Sequence, residues 1–389
     1  MKRGISTRCV HAGEEPEPRT GAVGTPIFQN TTFLYPNPEP DAISGKRVGD
    51  YYIYSRYNNP TIEALEGKVS DLEGAGGAVA FSSGMAAIST TLLTLAGEGG
   101  HVVSARDLYG GTYIVMRNIL PKLGIEVTFV DTRDTDGFWK ALREDTRLVY
   151  CESITNPVLK VADIPELADI AHEKDVPLVV DATFATPINQ SPLELGADVV
   201  VHSGTKYLGG HSDVTSGVVA TTDELAHDIR DKMIFYGGCI DPSAAWLTMR
   251  GLKTLELRVA RQNATARWLA DWLEGNDKVV SSIHPELESH PDREVAQRVL
   301  RAGGGMVTFD LGNLDACHRC LEEFETITVA SSLGGVDSLV SLPVETSHWE
   351  LDAEERASLG ISDGHVRLSV GIEDLPDIMS DLERGLDKV

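Results

Sequence analysis

The chain has 389 residues, of which 42% are hydrophobic and 24% charged, a composition typical of a soluble globular protein with room for two domains. No apolar run approaches the roughly 18 to 20 residues of a membrane helix, and Met1–Ser6 lacks the apolar stretch of a secretory signal. The formal net charge of −25, from 59 acidic and 34 basic residues, disfavours binding to nucleic-acid phosphates.

Charge and cysteine content also indicate a habitat. The basic residues comprise 12 lysines and 22 arginines; an acid-rich, lysine-poor surface suits high salt, although ordinary cytosol also contains acidic proteins. The five cysteines are scattered, which indicates reduced thiols and a cytoplasmic location. Cys317 and Cys320 have the CxxC spacing, but no second pair completes a metal site. We expect a partly buried helix face there and assign it no role.

The elements follow a simple order along the chain. Residues 1–60 are rich in Gly and Pro without periodicity, and such an arm usually packs on another surface. Between 61 and 255, short Val-rich runs alternate with helical patterns, which predicts a mostly parallel sheet of buried strands. The runs are 78–81, 102–103, 127–130, 148–150, 178–180, 199–201 and 217–220.

A second, smaller α/β domain is predicted from about 256 to 389. The segment from Pro242 to about Leu273 has the pattern of one long helix bridging the two domains. Strand-like runs follow at 306–310, 338–342 and 365–370, and helical patterns at 315–324 and 375–386. The sequence therefore divides into an arm (1–60), a larger α/β domain (61–255) and a C-terminal domain (256–389).

Small residues mark a candidate anion site after the first strand. Ser83, Gly84 and Met85 follow the run that ends at Phe81 and open a helical pattern. Free N–H groups at such a helix start bind phosphate, although small residues also begin many helices without a ligand. Neither a P-loop nor a GxGxxG fingerprint is present, which argues against a nicotinamide-dependent oxidoreductase.

Two further strand ends carry functional groups. Asp181 follows the strand at 178–180, at the sheet edge where α/β proteins bind ligands, although a lone acid there is more often a cap. Lys206 follows the strand at 199–201 through Ser203-Gly204-Thr205. A lysine in this position can bond an aldehyde, while Ser203 and Thr205 hold its phosphate. An acid such as Asp181 opposite a ring nitrogen would make the ring an electron sink, so the three elements together predict pyridoxal phosphate.

The segment Ser203-Gly204-Thr205-Lys206-Tyr207-Leu208-Gly209-Gly210-His211-Ser212-Asp213 resembles the lysine signature of the Cys/Met-metabolism pyridoxal-phosphate enzymes. The likeness spans nearly the whole chain and also includes the segments 54–61, 109–111, 152–157, 250–255, 332–335 and 367–371. It implies a fold-type-I architecture, with a large domain like that of aspartate aminotransferase. It also implies a homotetramer built from two dimers, and within each dimer the two subunits share their active sites.

The resemblance implies a role for each motif residue. Lys206 would hold the cofactor and move protons, and Tyr109 would stack on the ring and assist proton transfer. Residues implied to bind the cofactor are Tyr54 and Arg56 from a neighbouring subunit, with Ser83, Gly84, Met85, Tyr109, Asp181, Thr183, Ser203, Thr205 and Lys206. Arg367, helped by Asn156 and the backbone at Ser332-Leu333, would bind the substrate α-carboxylate. No metal is expected.

Three positions depart from the family pattern. Family members that act on cystathionine are expected to carry an acid, an arginine and a glutamate where this chain has Ile53, Ile114 and Ser331. A less polar distal pocket favours a smaller γ-substituent. The whole-chain likeness favours γ-elimination or γ-replacement of the cystathionine γ-synthase or γ-lyase type. A methionine γ-lyase, an O-acylhomoserine sulfhydrylase and, remotely, a non-catalytic cofactor-binding protein stay open.

Overall fold

A seven-stranded sheet forms the larger half of the computed structural model, which describes residues 3–34, 52–349 and 351–389. The strand order is β1-β7-β6-β5-β4-β2-β3. The strands are β1 (Gly77–Phe81), β2 (His101–Ala105), β3 (Glu126–Val130), β4 (Thr146–Glu152), β5 (Leu178–Asp181), β6 (Val199–His202) and β7 (Gly217–Thr221). Strand β7 alone is antiparallel to its neighbours β1 and β6, so the prediction of a mostly parallel sheet is confirmed.

Helices cover both faces of this sheet, and side-chain caps start four of them, α2, α3, α5 and α8. The Asn59 side chain accepts from the Thr61 N–H to start α2, Pro60 occupies the first position, and Gly74 ends the helix in the left-handed region. The helices are α1 (Ile5–His11), α2 (Pro60–Glu73), α3 (Gly84–Ala96), α4 (Gly110–Ile114), α5 (Thr135–Ala141), α6 (Ile164–His172), α7 (Thr186–Asn189) and α8 (Asp223–Tyr236). A π-helical turn, Val115–Ile119, follows α4 directly.

The N-terminal arm is more ordered than its sequence indicated. Helix α1 packs on α2, and the buried Lys68 ammonium donates to the Cys9 carbonyl at 2.9 Å. Lys68 also forms an ion pair with Glu14 at 3.1 Å. The expectation of an irregular arm was therefore wrong for residues 5–11, which form a helix that the buried Lys68 of α2 joins through the Cys9 carbonyl and Glu14. Residues 35–51 of the predicted arm lie outside the described residues.

The single long helix predicted from Pro242 to Leu273 is two helices, α9 (Pro242–Leu252) and α10 (Leu255–Glu274). The Gly251 carbonyl accepts from the Arg258 guanidinium at 2.8 Å, so a side chain satisfies the end of α9. Gly251 also packs so closely on the loop after Lys206 that a Cβ there would lie 2.1 Å from the Gly209 carbonyl oxygen. Packing against this loop thus separates the two helices, which local periodicity does not reveal.

A second sheet has the order β10-β11-β12-β9-β8. Its strands are β8 (Ser281–Ile283), β9 (Met306–Asp310), β10 (Thr328–Val329), β11 (Leu339–Ser341) and β12 (His365–Ser369), with helices α11 (Arg293–Val299), α12 (Leu314–Leu321), α13 (Ala353–Ser358) and α14 (Leu375–Leu386). Strands β8 and β10 are too short to give a pattern and were not predicted. The Cys317 and Cys320 thiols are free and buried in the core under α12, as expected of a helix face.

The core of this second sheet is a separate hydrophobic cluster drawn from residues between Ala266 and Leu386. The domain boundaries at residues 60 and 255 stay predictions. Among the described residues, no helix combines the length and the apolar character needed to cross a bilayer.

Candidate active site

A cavity of 610 Å³ lies at the carboxyl ends of β4, β5 and β6, between the two sheets. Residues from both halves of the chain line it. The sequence-predicted residues in its lining are Ser83, Gly84, Met85, Tyr109, Asn156, Asp181, Thr183, Ser203, Thr205, Lys206, Ser331, Ser332, Leu333 and Arg367. The structure therefore brings together in one place residues that are widely separated in the sequence.

One end of the cavity is suited to an anion. Ser83 caps the 13-residue helix α3 by accepting from the Ala86 N–H at 3.1 Å, which leaves the first-turn amides of Gly84 and Met85 at the cavity. Gly84 is needed here because a Cβ would lie 2.8 Å from the Ser203 Cβ. The Ser203 N–H donates to the Thr183 hydroxyl at 2.8 Å, which fixes the two loops against each other. Free amides, small residues and hydroxyl groups fit a phosphate.

Thr205 lines the same end but its hydroxyl is already engaged. Its Oγ1 accepts from the Ser216 N–H at 3.0 Å and donates to the Ser216 carbonyl at 3.2 Å. These bonds hold the loop before Lys206, so a phosphate contact from this hydroxyl would require an exchange of partners.

Lys206 projects its ammonium into the cavity, where Nζ donates to the Ser332 Oγ at 2.9 Å. Burial, with a smaller effect of the nearby Arg367 charge, lowers the pKa of Lys206 to about 8. Ser332 has a φ of 96°, a left-handed conformation that is strained for a residue with a side chain. The lowered pKa and the position of Lys206 at the cavity fit the aldehyde-binding role predicted from the sequence.

The lowered pKa of Lys206 has a measurable consequence. Because only the neutral amine attacks an aldehyde, the rate at which cofactor-free protein takes up pyridoxal phosphate should rise through a midpoint near pH 8. An unperturbed lysine, with a pKa near 10.4, would be below about 1% neutral at that pH. Absorbance of the bound cofactor at each pH gives the rate. The variant Arg367→Met should shift the midpoint upward, and a wild-type midpoint above pH 9.5 would contradict this account.

Asp181 presents a buried carboxyl group at the end of β5. Its Oδ1 accepts from the Thr183 N–H at 2.9 Å, and burial raises its pKa against the opposing effects of Thr183 and of His202. A carboxyl group in this state ionises readily when a cation approaches, because the new charge pair offsets the cost of burial. It fits the protonated ring nitrogen predicted from the sequence.

Tyr109 lies at the mouth of the cavity and is 47% exposed. Its ring covers Gly111, where a Cβ would lie 2.7 Å from the Tyr109 Cε1 and 3.1 Å from the Met85 sulfur. The Tyr109 N–H donates to the Glu152 Oε1 at 2.5 Å. Glu152 was not among the residues predicted for the site, although it ends β4 as Asp181 ends β5, and that parallel could have identified it.

Arg367 is a buried cation, and among the described residues no carboxylate forms an ion pair with it. From β12 its Nη1 donates to the Asn156 Oδ1 at 3.1 Å and its Nη2 to the Ser332 carbonyl at 3.0 Å. Its Nε is buried without a hydrogen-bond partner, and burial lowers its pKa to about 10. Since a buried charge without a partner is costly, the geometry fits an incoming carboxylate.

A second cavity of 790 Å³ adjoins the first, and the two share Tyr109, Thr346, Ser347 and Trp349. Ile114 lies in the lining of the second cavity, as does Arg117 in the π-helical turn. The Arg117 Nη1 forms an ion pair with the Glu355 Oε1 at 2.9 Å. The adjoining space is thus more charged than Ile114 alone indicated.

Ile53, Tyr54 and Arg56 line neither of these cavities. The Arg56 guanidinium instead donates to the Ile234 carbonyl at 2.6 Å and lies over the rings of Tyr54 and Tyr57, at 5.7 and 5.0 Å from their centroids. Within one chain these arm residues are therefore apart from Lys206, and their predicted role stays a prediction.

Comparison with known proteins gives one consistent result. The family described as Cys/Met metabolism PLP-dependent enzyme matches residues 6–387. The chain is 44% identical to a cystathionine gamma-lyase of Bacillus subtilis over 98% of this chain and 99% of the relative. It is 42% identical to an L-methionine gamma-lyase of Fusobacterium nucleatum over 100% of this chain and 99% of the relative. A crystal structure of cystathionine gamma-lyase from Lactobacillus plantarum, complexed with L-serine, superimposes with a TM-score of 0.93 at 34% identity, covering 100% of this chain and 99% of that one.

Proposed function

Because the chain belongs to the family of pyridoxal-phosphate-dependent enzymes of cysteine and methionine metabolism, with a fold-type-I architecture, we propose that it cleaves the bond between Cγ and sulfur of cystathionine. The observation that supports an amino-acid substrate most directly is the buried, unpaired Arg367 facing the same cavity as Lys206. Water would complete the reaction to 2-oxobutanoate, ammonia and cysteine, whereas an attacking thiol would give γ-replacement.

The chain's own residues have separate tasks in this proposal. Ser83, Gly84, Met85 and Ser203 hold the cofactor phosphate, with the loop fixed by Thr183 and Thr205. Asp181 keeps the ring nitrogen protonated, and pyridoxal phosphate so held withdraws electrons from the substrate α-carbon.

The reacting end of the substrate is held by Tyr109, Lys206 and Arg367. Arg367 and Asn156 orient the α-carboxylate, while the backbone at Ser332 and Leu333 closes the same side of the cavity. Lys206 accepts the Cα proton and moves protons onward, and the Tyr109 ring covers the reacting plane.

Cystathionine carries a second amino-acid group beyond its sulfur, and the adjoining cavity can receive it. Arg117 lies three residues after Ile114 and lines that same cavity, so it can supply the positive charge that Ile114 lacks. A methionine γ-lyase is the second candidate, because Ile53, Ile114 and Ser331 reduce the polarity of the distal pocket and methionine has no distal charge.

Substrate assays with an arginine variant separate the two candidates. The purified holoenzyme is given cystathionine, methionine or an O-acylhomoserine, each with and without cysteine, and 2-oxobutanoate, pyruvate and new thioethers are measured. We expect cystathionine to give the highest kcat/KM and 2-oxobutanoate as the oxo acid. Arg117→Met should raise the KM for cystathionine about 10-fold by removing a charge-assisted hydrogen bond, and should leave that for methionine unchanged.

A matched control is Arg143→Met, which removes an arginine of similar exposure that pairs with Glu126 away from both cavities. Turnover of methionine in preference to cystathionine would replace the first proposal by the second. Efficient thioether formation from an O-acylhomoserine would instead favour a sulfhydrylase or a γ-synthase.

We also propose that the enzyme is a homotetramer of two dimers in which Tyr54 and Arg56 bind the phosphate of a neighbouring subunit. Their position away from the cavity of their own chain supports this proposal, as does the exposure of Phe235 and Tyr236 at 81% and 54% beside the Arg56 contact. Light scattering of the purified protein measures the assembly, and a monomeric active enzyme would contradict it.

The cytoplasm of a cell that tolerates high salt is the proposed location. The net charge of −25 and the scarcity of lysine support it. Activity and Tm measured from low to molar potassium chloride would test the salt adaptation, which a loss of both with rising salt would contradict.

A further inference from the structure

Two carboxyl groups occupy neighbouring positions on the carboxyl edge of the first sheet, at the 610 Å³ cavity. Strands β4 and β5 are parallel neighbours, and their last residues, Glu152 and Asp181, are direct partners in the register. The side chains are 5% and 7% exposed, and both residues line the 610 Å³ cavity. Because two buried carboxylates on neighbouring strands repel each other, ionisation of both is disfavoured unless a cation lies nearby.

Glu152 connects parts of the site that come from different loops. Its Oε1 accepts from the Tyr109 N–H at 2.5 Å. Among the described residues, no hydrogen bond of the Tyr109 hydroxyl is found, so Tyr109 is held mainly through its backbone. The N–H of Asn156 also faces the Glu152 carboxyl group, and the Asn156 side chain accepts from Arg367 at 3.1 Å. Glu152 thus contacts Tyr109, which is proposed to cover the ring, directly. It is connected to Arg367, which is proposed to bind the substrate carboxylate, through Asn156.

The surroundings of the two acids differ. Burial and the charges of Asp181 and Asp107 raise the pKa of Glu152 well above its usual range, against the lowering effect of the Tyr109 and Asn156 amides. Burial also raises the pKa of Asp181, while Thr183 and the neighbouring His202 act in the opposite direction and favour its ionised form. The other titratable groups that face the pair are Tyr150 and Cys151 of β4, and His202 of β6 with its partner Glu73.

We propose that Glu152 is a positioning residue: its carboxyl group accepts from the Tyr109 and Asn156 amides and holds these two residues in place, while Asp181 carries the negative charge opposite the cofactor ring. The inference rests on the proposed function only in that a pyridoxal ring lies against Asp181; it does not depend on which amino acid is the substrate. Glu152 acts through Tyr109 and Asn156 rather than on the reacting atoms.

Two substitutions at one position test the proposal. Glu152→Gln keeps the shape and the acceptor oxygen but is always neutral, so kcat/KM should stay within about threefold of the wild type. Glu152→Ala removes the acceptor, and a displaced ring and loop should lower kcat/KM by about 10- to 100-fold. Glu126→Ala, an exposed acid on the same sheet, is the control. If the alanine variant does not fold, Glu152→Asp, which is one methylene shorter, should show the same loss.

Two further readouts separate positioning from a general effect on folding. In a Tyr109→Ala background, Glu152→Ala should cost clearly less than in the wild type, because the ring that Glu152 positions is already absent and only the effect through Asn156 remains. The absorbance of the bound cofactor, titrated with pH without substrate, should have the same midpoint in Glu152→Gln as in the wild type. This titration needs no turnover, so it tests Glu152 even if cystathionine proves not to be the substrate.

Two results would overturn the proposal. If Glu152→Ala were as active as the wild type, Glu152 would have no positioning role. If Glu152→Gln were as impaired as Glu152→Ala and its absorbance midpoint moved by more than about one pH unit, Glu152 would be an ionised partner of the cofactor instead.

Discussion

Replacing Lys206 by alanine is expected to reduce turnover by at least about 10⁴-fold and to remove the covalent absorbance of the bound cofactor. Lys206 has two tasks in the proposed reaction, since its amine bonds the cofactor aldehyde and then carries substrate protons. Among the residues that the structure describes in the 610 Å³ cavity, no second lysine could take over these tasks. Steady-state 2-oxobutanoate production and the absorbance spectrum measure the two effects.

The control for this experiment is Lys253→Ala, since Lys253 pairs with Glu14 outside the cavity and should leave both measurements unchanged. Cofactor that still binds through a covalent bond in Lys206→Ala would show that another amine serves. If the wild-type protein bound the cofactor but turned over none of the three substrates, the non-catalytic alternative would gain support.

Replacing Arg367 by methionine should lower kcat/KM for every amino-acid substrate by about 10²- to 10³-fold, mostly through KM. The substrate α-carboxylate would lose a buried partner, and losses of this kind cost about 2–5 kcal/mol. Arg367→Lys should recover only part of the activity, because an ammonium cannot make the paired contacts of a guanidinium. Initial rates over a wide range of substrate concentrations separate KM from kcat.

The same substitution has an opposite expected effect on stability. Arg367 is a buried cation, and among the described residues no carboxylate pairs with it. Burial of this charge therefore lowers the free energy of unfolding of the substrate-free enzyme. Arg367→Met should therefore raise the Tm by about 2 °C, measured by calorimetry on the holoenzyme. A large fall in Tm would show that Arg367 is mainly structural, through its bonds to Asn156 and Ser332.

These predictions follow from one arrangement, in which both sheets contribute residues to a single cavity. The carboxyl edge of the first sheet contributes Asp181, Glu152 and Lys206, while the second sheet contributes Arg367 and the strained Ser332. Neither sheet forms the site alone. Substrate recognition through Arg367 and chemistry through Lys206 thus depend on how the two sheets pack against each other.

Structural features that are local in the chain could be predicted from the sequence. The strand runs of the first sheet, with Ser203 to Lys206 after β6 and Asp181 at the end of β5, were predicted because buried parallel strands give continuous apolar runs and ligands bind at their carboxyl ends. The small residues at the start of α3 were recognised for the same reason. The family resemblance then added Arg367, Asn156 and Tyr109, which no local pattern would have singled out.

Other features depend on contacts between distant segments, and they are visible only in the folded chain. Contacts between distant segments give the hydrogen bond of Glu152 with the Tyr109 N–H and the lining of the cavity that contains Arg117. Among the described residues, no carboxylate forms an ion pair with Arg367, and this too depends on the folded chain. The division of α9 from α10 likewise results from packing on the Lys206 loop. Burial and long-range pairing set the charge of each group, and periodicity in the sequence carries no information about either.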